Sequence, residues 1–94
     1  LLYTANGMMN MKNAKWQDDY SPIDEDGPCR TSRFHTKAYL RHLLHSKELL
    51  GGQIASLHNL SFFLWLMREA RQKIIEGTFS SWKKDMVERM ARRL

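Results

Sequence analysis

Residues 32–67, SRFHTKAYLRHLLHSKELLGGQIASLHNLSFFLWLM, decide the fold class of this chain. Tyr39, Leu40, Leu43 and Leu44 recur at helical spacing and give one buried stripe. They predict a first helix that starts near Thr31 or Ser32, either of which can cap it, and runs to about Ser46. Gly51-Gly52 then mark a break or a loosely wound start. A second helix is expected over residues 53–76, where Ile54, Leu57, Leu60, Leu64 and Met67 repeat at helical spacing. Phe62, Phe63, Trp65 and Leu66 make its middle apolar almost all round, and such a helix must be covered on more than one side. So short a chain has few elements to do that covering, which points to missing neighbours.

Outward from this tract, Gly77 fits a helix C-terminus, and a third helix follows Thr78 or Ser80. Trp82, Met86 and Met90 form its stripe, with Phe79 and Val87 alongside. Arg89, Arg92 and Arg93 sit near its end, where the helix dipole favours cations. Stabilising the helix is the simpler reading of that cluster; a specific contact is the other. Towards the N-terminus, residues 1–12 read as a β-hairpin. Asn6-Gly7 is the preferred pair for a type I′ turn, and Met9 and Met11 alternate with Asn10 and Lys12 beyond it. Residues 13–31 read as an irregular loop whose Asp18, Asp19, Pro22, Asp24, Asp26, Gly27 and Pro28 form turns and break helices. The chain thus divides into residues 1–31, hairpin and loop, and residues 32–94, three helices. The fold class expected is mainly α with an N-terminal hairpin.

The 94 residues suffice for one small domain, and a hydrophobic content of 43% allows a packed core rather than wholesale disorder. Leu1 stands where an initiator Met would, so the chain reads as excised from something longer or processed. The longest apolar run, residues 60–67, contains Ser61 and falls far short of the roughly 20 residues that span a bilayer. A single cysteine, Cys29, cannot form an internal disulfide and favours a reducing, cytoplasmic setting.

The net charge of +5 is unevenly spread. Residues 1–30 carry three basic and five acidic side chains, and residues 31–94 carry twelve and five. A basic helical half suits a polyanion, nucleic acid first, against the plain alternative of a solvated surface. Arg33, Lys37 and Arg41 fall at i, i+4 and i+8 and make one stripe on the expected first helix. With Arg30, and with Lys12 and Lys15 near in sequence, they could follow a phosphate backbone, while Trp16, Tyr20 and Phe34 could stack on bases. Core packing is the competing role for these aromatics, and the one expected of Trp65 and Trp82.

No catalytic constellation is present. The carboxylates Asp18, Asp19, Asp24, Glu25 and Asp26 lie in a polar loop without an apolar pocket to perturb them. No phosphate-binding glycine loop or Ser/His/Asp pattern occurs. For a metal, Cys29 with His35, His42, His45 and His58 falls short of the several thiolates that structural zinc sites favour.

Several short motifs occur together in one order. They are Asn-Ala-Lys-Trp at 13–16, Ser-Pro-Ile-Asp at 21–24, and Thr36-Lys37-Ala38-Tyr39-Leu40 with His42-Leu43. Glu48-Leu49-Leu50-Gly51, His58-Asn59-Leu60 and Leu66-Met67 continue the series. In this order and spacing the whole chain resembles the C-terminal segment of a bacterial tRNA-guanine transglycosylase, or queuine tRNA-ribosyltransferase. The resemblance implies a portion of a cytoplasmic, homodimeric (β/α)8 TIM-barrel enzyme of queuosine biosynthesis. Such an enzyme exchanges wobble guanine in GUN-anticodon tRNAs for a 7-deazaguanine base, through attack of an Asp carboxylate on C1′. The resemblance places that Asp and the base pocket upstream, so no catalytic residue is expected here, and this segment alone is expected to be inactive. It would supply tRNA contacts through Lys12, Lys15, Arg30, Arg33, Lys37 and Arg41, and a dimer interface through His35, Tyr39 and His42. The last three are i, i+4 and i+7 on the expected helix. The family's zinc is held by Cys-x-Cys-x2-Cys and the His of His-Asn-Leu. Those positions fall here on Gly27, Cys29, Ser32 and His58, so the site is degenerate, Cys29 and His58 are remnants, and the zinc is expected to be lost with no other cofactor in its place. A stand-alone tRNA-binding module, or an inactive subunit of an active partner, is the alternative to the enzyme reading.

Overall fold

In the computed structural model the chain is described over residues 1–25 and 27–94; Asp26, read above as a turn residue, lies outside them. It opens with a hairpin, β1 (Leu2–Thr4) and β2 (Gly7–Met9), paired antiparallel as Leu2↔Met9, Tyr3↔Met8 and Thr4↔Gly7. This register puts Ala5-Asn6 in the turn, one residue earlier than expected. The turn is not type I′, since Lys47 is the sole non-glycine with positive φ among the described residues. The Thr4 hydroxyl shapes it instead, donating to the Gly7 carbonyl at 2.7 Å and accepting from the Asn6 N–H at 3.2 Å. Gly7 is still required, at φ +143°, because a Cβ there would meet the Arg92 carbonyl oxygen at 2.6 Å.

That close approach exists because the C-terminal residues run beside β2. The Met8 N–H donates to the Arg92 carbonyl at 2.7 Å, and the Leu94 N–H donates to the Met8 carbonyl at 2.9 Å. Met8 and Arg93 thereby form a parallel bridge on the otherwise bare edge of β2. A sheet edge needs such a cover, because its backbone groups are otherwise unpaired.

The loop beyond the hairpin is ordered by local caps and long-range rungs. Asn13 caps a short 3-10 helix, Ala14–Trp16, through its side chain. Trp16 is buried and its indole N–H donates to the Asn10 carbonyl at 3.0 Å. Further on, the Ile23 N–H donates to the His35 carbonyl and the Lys37 N–H to the Ser21 carbonyl. These rungs explain a departure from the expected first helix. It is two helices, α1 (Arg30–Phe34) and α2 (Lys37–His45), separated by extended His35 and Thr36. The caps and spacing suggest one continuous helix here, but an extended link lets the loop pair with its backbone. Thr36 then caps α2 by accepting from the Tyr39 N–H at 3.1 Å. Ser32, expected as a cap, lies inside α1.

The next break falls at residues 46–48 rather than at Gly51-Gly52. Lys47 takes the left-handed conformation at φ +55°. The Glu48 N–H donates to the Leu43 carbonyl and the Lys47 N–H to the Leu44 carbonyl. These are the two bonds of a Schellman motif, with Lys47 where glycine is usual. Both glycines belong to the first turn of α3 (Leu49–Glu76). Gly51 serves packing, since a Cβ there would lie 2.9 Å from Leu43 Cβ. Gly77 ends α3 at φ +77°, as its position suggested, with the same pair of bonds from Gly77 and Thr78. The last helix, α4 (Phe79–Met90), folds back along α3.

One core joins hairpin, loop and helices: Leu2, Met9, Met11, Trp16, Ile23, Leu40, Leu43 and Ile54. Burying each such side chain contributes roughly 1.5–3 kcal/mol. On α3 the buried positions are Gly51, Ile54, His58 and Phe62. Leu57, Leu60, Leu64 and Met67, which share the expected stripe with Ile54, are exposed. No helix among the described residues is long and apolar enough to cross a membrane.

Candidate functional site

Three of the six basic residues singled out in the sequence converge on the 3-10 helix. Lys15 Nζ lies 4.6 Å and Lys37 Nζ 5.7 Å from the centroid of the Trp16 ring. Arg41 reaches the same turn, donating from Nε to the Asn13 carbonyl at 3.2 Å. Its other arm meets His45 Nε2 at 3.1 Å. Lys37 is partly committed, donating to the Ser21 hydroxyl at 2.9 Å and the Pro22 carbonyl at 3.0 Å. Lys12 is exposed just upstream. The Asp19 carboxyl beside this cluster is held below its ordinary value, first by the Ser21 hydroxyl and then by the Ser21 backbone, with Lys37 adding to the effect.

Arg30 and Arg33 are exposed on α1, with the Arg30 guanidinium 5.8 Å from the Phe34 ring centroid. The break at residues 35–36 means that Arg33, Lys37 and Arg41 are not one helical stripe. Of the three aromatics considered for stacking, Trp16 is in the core, while Tyr20 and Phe34 are exposed. The break also removes His35 from the helix carrying Tyr39 and His42. His35 nevertheless stacks on Tyr39, with ring centroids 5.5 Å apart at 24°, and His42 is exposed one turn on.

The second constellation is buried. His58 and Ser32 are both 0% exposed. Ser32 Oγ lies 2.6 Å from His58 Nδ1, and His58 Nε2 lies 2.8 Å from the Tyr3 carbonyl oxygen. A carbonyl only accepts, so Nε2 carries the hydrogen, and Nδ1 accepts from the Ser32 hydroxyl. Asn59 completes the grip on β1: its Oδ1 accepts from the Tyr3 N–H and its Nδ2 donates to the Leu1 carbonyl, both at 3.0 Å. Sequence reasoning missed the Asn59 and Ser32 roles. The available signal was His58-Asn59, two adjacent polar residues in an apolar helix.

Cys29 is buried at the start of α1 without a capping bond of its own. Burial pushes its thiol up, but hydrogen bonding from the Ser32 backbone, the Ser61 hydroxyl and the Thr31 backbone outweighs that and holds it below the ordinary thiol value. The four positions that the resemblance assigns to zinc thus offer one thiol and one imidazole whose two nitrogens are already engaged. A Cβ built on Gly27 would run into the Asp24 carboxylate. Among the described residues no group of three or more His, Cys, Asp or Glu could hold a metal ion. These residues do not fit the zinc.

A mainly helical chain with an N-terminal hairpin is the class of segment that the sequence motifs indicated. The profile of the family described as Queuine tRNA-ribosyltransferase matches residues 1–92, and the chain belongs to that family. The queuine tRNA-ribosyltransferase of Helicobacter acinonychis (strain Sheeba) is 46% identical over 88 residues, covering 94% of this chain and 24% of that protein. That of Bacillus subtilis (strain 168) is 42% identical over 88 residues, 94% of this chain and 23% of its own. That of Helicobacter hepaticus (strain ATCC 51449 / 3B1) is 49% identical over 82 residues, 87% and 22%. The chain therefore spans about a quarter of the length of these curated relatives.

Proposed function

We propose that this chain is the C-terminal portion of a tRNA-guanine transglycosylase that exchanges wobble guanine in GUN-anticodon tRNAs for a 7-deazaguanine base. The observation that carries the reading is family membership over residues 1–92. The segment contributes tRNA binding and dimerisation, and the base pocket and nucleophile lie in the rest of a cytoplasmic TIM-barrel parent. The apolar face left open along α3 and α4 supports that parentage, because a large exposed apolar surface marks a place where another element packs. Residues 1–31 belong to the degenerate zinc-type subdomain and residues 32–94 to the helical segment, with α1 spanning the boundary.

Lys12, Lys15, Lys37 and Arg41 present the tRNA-facing charge, joined by Arg30 and Arg33 from α1. Phosphate contacts of this kind make affinity salt-dependent. Replacing Lys15 and Arg41 by Gln in the parent should weaken tRNA binding and reduce the salt slope by about one unit per phosphate contact removed. Unchanged affinity and slope would reduce the cluster to a solvated surface. His35, Tyr39 and His42 are proposed to face a second subunit. Unaltered dimerisation after Tyr39→Ala and His42→Ala would count against that face.

The deciding experiment is labelled-guanine exchange into a GUN-anticodon tRNA by the full-length parent. Incorporation supports the transglycosylase reading. A folded parent that binds tRNA without exchange would favour a binding module or an inactive partner subunit.

A further inference from the structure

We infer that the Ser32–His58 hydrogen bond stands in the place of the family's zinc, so that this chain closes its loop onto α3 without a metal. The inference rests on family membership and not on exchange activity. A zinc-bound histidine ordinarily ligates through one ring nitrogen and donates from the other to a carbonyl or carboxylate. His58 keeps the second half of that arrangement, with Nε2 on the Tyr3 carbonyl at 2.8 Å. At Nδ1, where the metal would be, it has the Ser32 hydroxyl at 2.6 Å.

The substitution is chemically coherent. A fully buried imidazole nitrogen needs a partner, and a hydroxyl supplies a stronger donor than a thiol. Serine at position 32 therefore satisfies the atom that loss of the metal would orphan. Among the described residues no buried side-chain N or O lacks a partner. In front of Gly27, where a second thiolate would begin, lies the Asp24 carboxylate, the movable end of a side chain that a larger residue can displace. The resulting clasp ties α1 to α3 and β1, the connection a structural zinc would otherwise make.

The test is metal analysis and thermal unfolding of the full chain produced with zinc supplied. The expected result is zinc far below stoichiometry and a Tm that moves by no more than about 1 °C on adding a chelator, since only a ligand bound to the native state shifts it. Ser32→Ala should lower Tm by about 5 °C or more, because it leaves Nδ1 buried without a donor. The paired change Gly27→Cys with Ser32→Cys should take up cobalt(II), seen by its thiolate absorption, and acquire a chelator-sensitive Tm. Stoichiometric zinc in the unaltered chain, lost in His58→Ala, would overturn the inference. So would a folded double-cysteine variant that takes up no cobalt. None of these readouts depends on guanine exchange, so an inactive parent leaves the inference standing.

Discussion

The two ends of α3 both carry large apolar side chains and meet different fates. Near its start, Gly51, Ile54, His58 and Phe62 are buried against the hairpin, α1 and α2. Towards its end, Leu64 is 52%, Met67 71% and Ile75 72% exposed, and α4 covers only part of one side. Between them, Leu66, Met67, Ala70, Trp82, Met86 and Met90 line a wholly apolar groove of about 280 Å³. The comparison teaches that apolar spacing reports a capacity for burial. Which positions use that capacity depends on which partners are present.

The contrast breaks or sharpens by mutation. The largest effect is expected at the closed end. Leu40→Ala or Ile54→Ala should cost about 2–5 kcal/mol, read by urea unfolding, because each leaves a cavity in the core. Leu64→Ala, at the open end, should change stability by no more than about 0.5 kcal/mol; an equal loss at both would mean that the two ends are packed alike. Next comes Gly51→Ala, whose new methyl presses on Leu43 and should cost about 1–3 kcal/mol. Smaller still are the two Schellman ends. Gly77→Ala should destabilise by about 1 kcal/mol and Lys47→Gly should stabilise by up to about 1 kcal/mol, both measured as shifts in unfolding midpoint. The reverse signs would show that neither end is held in the left-handed conformation.

The smallest effect concerns acid. Asp19 is half-buried and its folded value lies below the ordinary 3.8. Its contribution is therefore present above 3.8 and fades as pH falls through the lower folded value. Asp19→Asn should slightly flatten the fall of Tm below that pH, and an unchanged acid limb would show that the Ser21 contacts add nothing.

Much of the architecture was legible because it rests on local chemistry. The hairpin, the two longer helices and the glycine end of α3 each follow from spacing and from residues with special backbone freedom. Other features depend on distant partners. The link at His35-Thr36 is extended because loop residues 21–23 pair with its flanks, and nothing inside the RTSRFHTK sequence announces that. Lys47 adopts the conformation that Gly51 seemed to offer, since Gly51 is needed where α3 approaches Leu43. Trp16 looked free to stack on a base, yet the turn capped by Asn13 folds it inward. Arg89 looked like a helix-end cation, and it also reaches Asn6 Oδ1 at 3.0 Å. Of the candidate site, the residue types were visible. The resemblance put Ser32 and His58 at one site, but the hydrogen bond between them was not visible, because it depends on how α1 packs on α3.

The rung between Met8 and Arg93 joins positions separated by almost the whole chain. Closing so long a loop is entropically slow, and contacts of this range raise the contact order that sets folding speed. During synthesis the hairpin emerges before residues 92–94 and waits for their cover until the helices between have been made. For that interval β2 carries a bare edge able to recruit another nascent chain, so removing residues 92–94 should promote aggregation during expression well before it abolishes helix content.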